Sequence, residues 1–341
     1  MEFVITIGFR MTNSNLQPLM TSVRSHGRTV VLLSIVLSVA VLALGVVSGT
    51  AELSHDVFWQ LRLPRVLAVF GVGGLVAMAG LMLQVLLRNP LAEPYMLGAA
   101  SGASFCVLLG MLLGGSWLLL QGLALFGALS ALGLMLMVMR RYSRLEGDVT
   151  VLLLLGIVLA SLLTAAVSGI LLILPDRSVR SALFWMMGDL AGAGSHYVAW
   201  CGLWLVLLCA LTLARPMAAL MRGAVMAHSI GVDVARLRWQ LLLLAGVATA
   251  LAVMEAGAIG FVGLIVPHVV KSLGGRYFGS NMRMVLPLCA LWGGILLVVA
   301  DIIARTLFAP TQLPVGLFTV LIGAPFLAWR LIARAREGAN A

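Results

Sequence analysis

The sequence predicts an all-α protein, a polytopic membrane bundle of about ten transmembrane helices, each long enough for a hydrocarbon core of roughly 30 Å. Three observations carry this. Of the 341 residues, 62% are hydrophobic and only 10% are charged. A soluble domain holds roughly 25% charged residues, so a chain this long cannot build a water-facing surface. The apolar residues also come in long unbroken runs, whereas a membrane barrel alternates apolar and polar residues over short segments. Helices and closed barrels are the two structures that cross lipid, and the runs select helices.

A crossing takes about 20 apolar residues, with roughly 17 to 25 usual. Residues 29–51 carry no charge and make the first crossing, and Val66–Leu87 the second. Residues 95–139 are charge-free and too long for one, so Gly114-Gly115-Ser116 turns the chain between the third and fourth. Residues 149–174 make the fifth. Pro175-Asp176-Arg177 ends it, and the half-polar stretch through Asp189, with Phe184-Trp185, reads as an interfacial helix or lid. Residues 196–214 make the sixth. Residues 215–238 carry Arg215, Arg222, Asp233, Arg236 and Arg238 and read as a polar loop. Residues 239–270 supply the seventh and eighth, broken near Glu255-Ala256-Gly257. Residues 284–305 and about 313–333 make the last two, either side of the loop from Pro310 to Pro314.

Basic residues collect on the cytoplasmic side of membrane proteins. With the N-terminus in the cytoplasm, of 22 Lys and Arg residues only Arg62, Arg65, Arg177, Arg180 and Arg305 fall outside. Both termini are therefore expected in the cytoplasm: residues 1–28 as an uncleaved polar tail, 29–334 as the membrane domain and 335–341 as a second tail. The net charge of +10 is spread between apolar runs, so the partner it implies is a lipid bilayer, and no nucleic acid. The four cysteines lie within apolar runs without a CxxC, which gives no disulfide or metal framework. The 37 glycines, dense from Gly71 to Gly80, let membrane helices approach closely.

Several polar and proline-containing segments mark the helix ends. They are Arg62-Leu63-Pro64-Arg65, Arg88-Asn89-Pro90-Leu91-Ala92-Glu93-Pro94, the run from Gly257 to His268, Ala300 to Arg305, Leu313-Pro314-Val315-Gly316 and Gly323-Ala324-Pro325-Phe326. In this order and spacing they resemble the permease family of ABC importers for vitamin B12, ferric siderophores and haem, the FecCD or BtuC-like family, over residues 29–334. The resemblance implies a bacterial inner-membrane permease paired with a second copy or a close paralogue. It further implies two ATP-binding subunits and a periplasmic substrate-binding protein, with an iron chelate or cobalamin as cargo.

The resemblance also implies site residues. The family's ATPase-docking pattern corresponds to Arg222, Gly223, Ala227, Ile230, Gly231 and Val232, with Arg222 where the family has leucine and Ala224 where an acidic residue is common. An ordinary solvated loop is the plain alternative. Arg62, Arg65 and Arg305 correspond to positions that meet carboxylates on the binding protein, a task suited to the planar guanidinium fork. Against this stand snorkelling and a local Asp301–Arg305 pair at i,i+4. Asn89, Pro90 and Leu91, with Asp148 to Thr150, correspond to a cytoplasmic gate, although Asn-Pro is also a helix-ending turn.

No catalytic residue, metal ligand or cofactor is read from the chain. A P-loop needs GxxxxGK[ST], and the single lysine, Lys271 in Val269-Val270-Lys271-Ser272, has no glycine before it. Nucleotide hydrolysis therefore falls to a partner, and the chain is not expected to be an enzyme. An ion-coupled secondary transporter is the other reading. It calls for intramembrane acidic groups or broken helices, and Glu255, Asp301 and His268 are the lone ionisable residues near crossings.

Overall fold

A helix that is apolar on every face is one that is surrounded on every face. Helix α2 (Leu63–Leu87) is the case here, buried almost without interruption from Val66 to Leu87. The computed structural model describes residues 16–49, 54–141, 149–190, 196–274 and 281–339, and their regular structure is entirely helical. Before α2 comes α1 (Leu16–Val47), and a π-helical turn, Val57–Arg62, feeds directly into α2. A 3-10 turn, Pro94–Leu97, opens α3 (Ala99–Leu112), which is followed by α4 (Trp117–Arg141), α5 (Val149–Ile173) and α6 (Asp176–Met186). Then come α7 (His196–Thr212), α8 (Ala214–Arg222), α9 (Ala224–Ser229), α10 (Val234–Ala256), α11 (Val262–Leu273), α12 (Met282–Thr306) and α13 (Val315–Ala339).

Among the described residues, six helical stretches are long and apolar enough to cross a membrane: 27–47, 57–87, 117–138, 154–173, 234–256 and 282–306. The α7–α8 pair, bent by 60°, makes a seventh if counted as one, and Ala99–Leu112, Val262–Leu273 and Val315–Arg330 are shorter apolar helices. Three boundaries differ from the sequence reading. The described part of α1 begins at Leu16, inside the stretch read as a tail, and α13 continues to Ala339, through most of the stretch read as the second tail. Propagating a helix adds a hydrogen bond per residue, so each runs on past its apolar core. Residues 1–15 and 340–341, at the outer ends of the two tails, lie outside the described residues. The stretch read as a loop across 215–238 contains α8, α9 and the start of α10, with α8 burying Ala214, Met217, Ala219 and Leu220 and leaving Arg222 exposed.

The packing around α2 depends on glycine. A Cβ on Gly73 would overlap the Gly293 carbonyl of α12, and one on Gly80 would overlap the Gly263 carbonyl of α11. Trp200 on α7 donates from Nε1 to the Leu67 carbonyl at 2.9 Å, and its ring stacks on Phe70 at 5.7 Å. Gly71 meets Ala199 and Gly74 meets Leu203, so α7 runs parallel to α2, whereas Gly73 meeting Gly293 and Gly294 meeting Phe70 set α12 antiparallel. One end of the bundle thus gathers the C-termini of α1 and α12 with the N-terminus of α2. The opposite end gathers the C-termini of α2 and α7, the N-termini of α10 and α12, and the α8–α9 pair.

Gly80→Ala should lower the thermal unfolding temperature of the purified chain in detergent, since overpacking costs about 1–3 kcal/mol. Gly122→Ala, in open space on α4, should leave it unchanged or raise it slightly, because alanine favours helix. Equal unfolding temperatures for the two variants would refute the close-approach account.

Candidate functional site

The last turn of α1 leaves carbonyls without intrahelical donors, as every helix C-terminus does. Its own last turn has no basic residue. Arginines from two other helices supply the donors. Arg62 Nη1 donates to the Val46 and Val47 carbonyls at 3.1 and 2.8 Å, and Arg305 Nη2 donates to the Gly45 carbonyl. Cations at this end also complement the helix dipole. Asp301, fully buried, sits between two of the arginines. Arg65 reaches its Oδ1 from Nε at 3.2 Å and from Nη2 at 2.8 Å, and Arg305 Nε lies 3.3 Å from its Oδ2. Arg65 Nη1 further donates to Gln312 at 3.0 Å.

This corrects one expectation. Arg62 and Arg305 are not water-facing, being 7% and 8% exposed; the orphan carbonyls of α1 draw them in. The local Asp301–Arg305 pair exists, but within a network rather than alone. Arg65 keeps the freer edge, with 17% of its side chain exposed.

At the opposite end, α8 and α9 form a knob. Gly223, at φ +135°, and Gly231, at φ +84°, turn the chain where a side chain would strain it. Ala227 is fully buried, with its amide donating to the Gly223 carbonyl at 2.9 Å and its carbonyl accepting from Val232 at 3.0 Å. Around it Val225, Met226 and Ile230 are 86%, 50% and 61% exposed. Arg222 is exposed and Val232 half-buried. Asp233 caps α10 through the Arg236 amide at 3.0 Å.

Two breaks between helices hold the remaining motif residues. Arg88 caps α2 in the left-handed region at φ 47°, and Asn89 Oδ1 accepts from the Leu91 amide at 2.9 Å, so the Asn-Pro turn is present. Asn89 and Leu91 are half-buried and Pro90 exposed. Asp148, expected beside them, lies outside the described residues. The second interruption, residues 257–261, separates α10 from α11. It receives Glu93, whose Oε1 accepts from the Phe261 amide at 2.6 Å, and Tyr95, whose hydroxyl accepts from the Ile259 amide at 2.9 Å. His268 Nδ1 lies 3.0 Å from the Leu264 carbonyl one turn back. Glu255 is 3% exposed, and neither of its carboxylate oxygens has a hydrogen-bond partner among the described residues.

Sequence reasoning missed the outer face of α5. Ser161, Thr164, Ala165, Ser168 and Gly169 are exposed on a helix otherwise rich in Leu, Ile and Val. Small and hydroxyl side chains recurring at i, i+3, i+4 and i+7 favour helix–helix contact or a wet path over lipid, and that spacing was readable. Among the described residues no three His, Cys, Asp or Glu side chains gather as a metal site.

An all-helical bundle with six helices long and apolar enough to cross a membrane among the described residues, and a helical knob at one end, fits a membrane transport protein. The chain belongs to the FecCD transport family, whose model matches residues 25–333. It is 37% identical over 296 residues to the vitamin B12 import system permease protein BtuC of Vibrio cholerae serotype O1, covering 84% of this chain and 85% of that one. It is 38% identical over 298 residues to the hemin transport system permease protein HmuU of Yersinia pestis, covering 83% and 86%. A solved chain described as an inward-facing conformation of a metal-chelate type ABC transporter superposes with a TM-score of 0.80 at 29% identity, covering 90% of this chain and 99% of that one.

Removing one partner of a buried ion pair costs about 3–5 kcal/mol. Asp301→Ala strands Arg305 inside the protein and should markedly lower the unfolding temperature, whereas Gln312→Ala, touching only the exposed edge of Arg65, should hardly move it. A thermal melt in which Asp301→Ala matches the parent chain would refute the network.

Proposed function

We propose that the chain is the permease subunit of a binding-protein-dependent ABC importer in a bacterial inner membrane. The observation that carries this reading is the α8–α9 knob. An apolar tip on an extramembrane helix pair needs a partner to cover it, and the family pattern puts an ATP-binding subunit there. Two such subunits hydrolyse ATP, and the permease works as a pair with a second copy or close paralogue, with α5's small, hydroxyl-bearing face turned to the pathway. The six long helices, the bent α7–α8 pair and the three shorter apolar helices make about ten crossings of a ~30 Å core. Both termini and the knob then face the cytoplasm, and the arginine end faces the periplasm.

At that outer end Arg65, the most exposed of the three arginines, is the group placed to hold a carboxylate of the substrate-binding protein, while Arg62 and Arg305 hold the end of α1 behind it. Asn89 to Leu91 form the inner gate. The names of the relatives support a cobalamin, haem or other metal-chelate cargo, with an iron chelate preferred. A second reading, an ion-coupled secondary transporter, draws on the 60° bend between α7 and α8, since broken helices are a feature of that class too. Dependence on ATP separates the two.

The purified chain alone should hydrolyse no ATP. Reconstituted in proteoliposomes with its ATP-binding and substrate-binding subunits, it should take up cargo only with ATP, and a proton or sodium gradient that drives uptake without ATP would overturn the reading. Met226→Asp with Ile230→Asp puts charge on the apolar tip. It should abolish co-purification of the ATP-binding subunit and leave the unfolding temperature of the permease unchanged; intact co-purification would show that the knob docks nothing.

A further inference from the structure

The two interruptions meet. Residues 88–93, between α2 and the 3-10 turn, and residues 257–261, between α10 and α11, are non-helical backbone inside a helical bundle. Their polar groups need protein partners, since lipid offers none. Glu93 and Tyr95 answer for two amides of the second stretch, those of Phe261 and Ile259. Phe261 sits at φ 68°, a left-handed conformation that is a genuine outlier for a bulky residue and persists only where its surroundings over-determine it. Two things hold it: the carboxylate on its amide, and its ring and Cβ against Gly323 of α13, where no side chain intervenes.

The far side of the same turn rests on the end of α6. Gly188 abuts Ile259 and the Ala258 carbonyl, Gly257 abuts the Trp185 carbonyl, and the Val315 amide opening α13 donates to the Gly188 carbonyl at 2.9 Å. A continuous packed and hydrogen-bonded path therefore runs from α6 through 257–261 to Glu93, two residues from Leu91.

We propose that Glu93 is a positioning residue that fastens the 88–93 segment to the α10–α11 turn, holding the inner gate shut and tying its state to that of α6. The part concerning the gate rests on the permease reading; the fastening itself does not. Glutamine keeps an acceptor oxygen and the length of the side chain, so Glu93→Gln preserves the link that Glu93→Ala removes. Tyr95→Phe removes only the second bond.

Ala92, fully buried beside Glu93, reports whether the segment lifts. The test uses the full chain carrying Ala92→Cys, with Cys106, Cys201, Cys209 and Cys289 replaced by serine or alanine, in proteoliposomes exposed on both sides to a membrane-impermeant maleimide. Adding Glu93→Ala should raise the labelling rate about tenfold, the factor that loss of a hydrogen bond to a charged group carries. Glu93→Gln should return the rate to that of the parent, with unfolding temperatures unchanged among the variants. An unchanged rate in a folded Glu93→Ala variant overturns the proposal, and so does a Glu93→Gln variant labelled as fast as Glu93→Ala. Should Glu93→Ala fail to fold, Tyr95→Phe decides: a rise in labelling supports the fastening and none overturns it. ATP-driven uptake is not read in this assay, so a failure of the transport reading shows up separately.

Discussion

Backbone that leaves water must still bond its amides and carbonyls, and in this protein the points where helices stop are the points where that demand falls on side chains. At the end of α1 the donors are Arg62 and Arg305. At the break between α10 and α11 the acceptors are Glu93 and Tyr95. At the first turn of α11 the amide of buried Gln84 leans on the Gly263 and Leu264 carbonyls at 3.4 Å. Each supporting group comes from another element, 15 to 16 residues away for Arg62 and 164 to 260 residues away for Tyr95, Glu93, Gln84 and Arg305. The polar residues of the bundle are thus largely spent on keeping irregular backbone satisfied, and their positions follow from where the helices end.

The same demand explains why glycine is concentrated where it is. Close approach of α2 to α11 and α12 brings carbonyl oxygens to within side-chain distance of a neighbouring backbone, leaving no room for a Cβ at Gly73, Gly80 or Gly293. Close packing supplies the dispersion contacts that hold membrane helices together, because lipid tails provide no hydrophobic drive between them. Helix α2 sits at the centre of this packing, and α5, far less enclosed, presents its small residues outward. The bundle therefore has a tightly packed core around α2 and a loosely enclosed flank at α5.

Charge at the two ends is organised differently. At the arginine end three guanidinium groups share one carboxylate, Asp301, and the helix-end carbonyls of α1, which leaves positive charge in excess and Arg65 nearest to solvent. At the knob end the apolar tip of α9 is bare, and its nearby carboxylate, Asp233, is committed to capping α10. The first end thus presents excess positive charge and the second an exposed apolar tip, the contrast on which the proposed docking roles rest. Family membership fits both.

Composition and run length by themselves determined an all-helical membrane bundle, most of its crossings and the breaks between them, because lipid admits few alternatives and the hydropathy of a run is a local property. The ordered motifs identified the FecCD transport family for the same reason: they mark helix ends in one dimension. The extent of α1 was not legible, since nothing in its polar first turns says whether the helix stops or continues. Nor was the fate of the arginines. Position alone put Arg62, Arg65 and Arg305 at a membrane edge; only tertiary structure decided that Arg62 and Arg305 turn inward, because the carbonyls and the aspartate that draw them lie 15 to 16 residues away for Arg62 and, for Arg305, 260 residues away at Gly45 but only one helical turn away at Asp301. The link from Glu93 to Phe261 spans 168 residues and has no local signature at all. Hydropathy is written along the chain, whereas the partner of a buried polar group is chosen by which helices end beside each other.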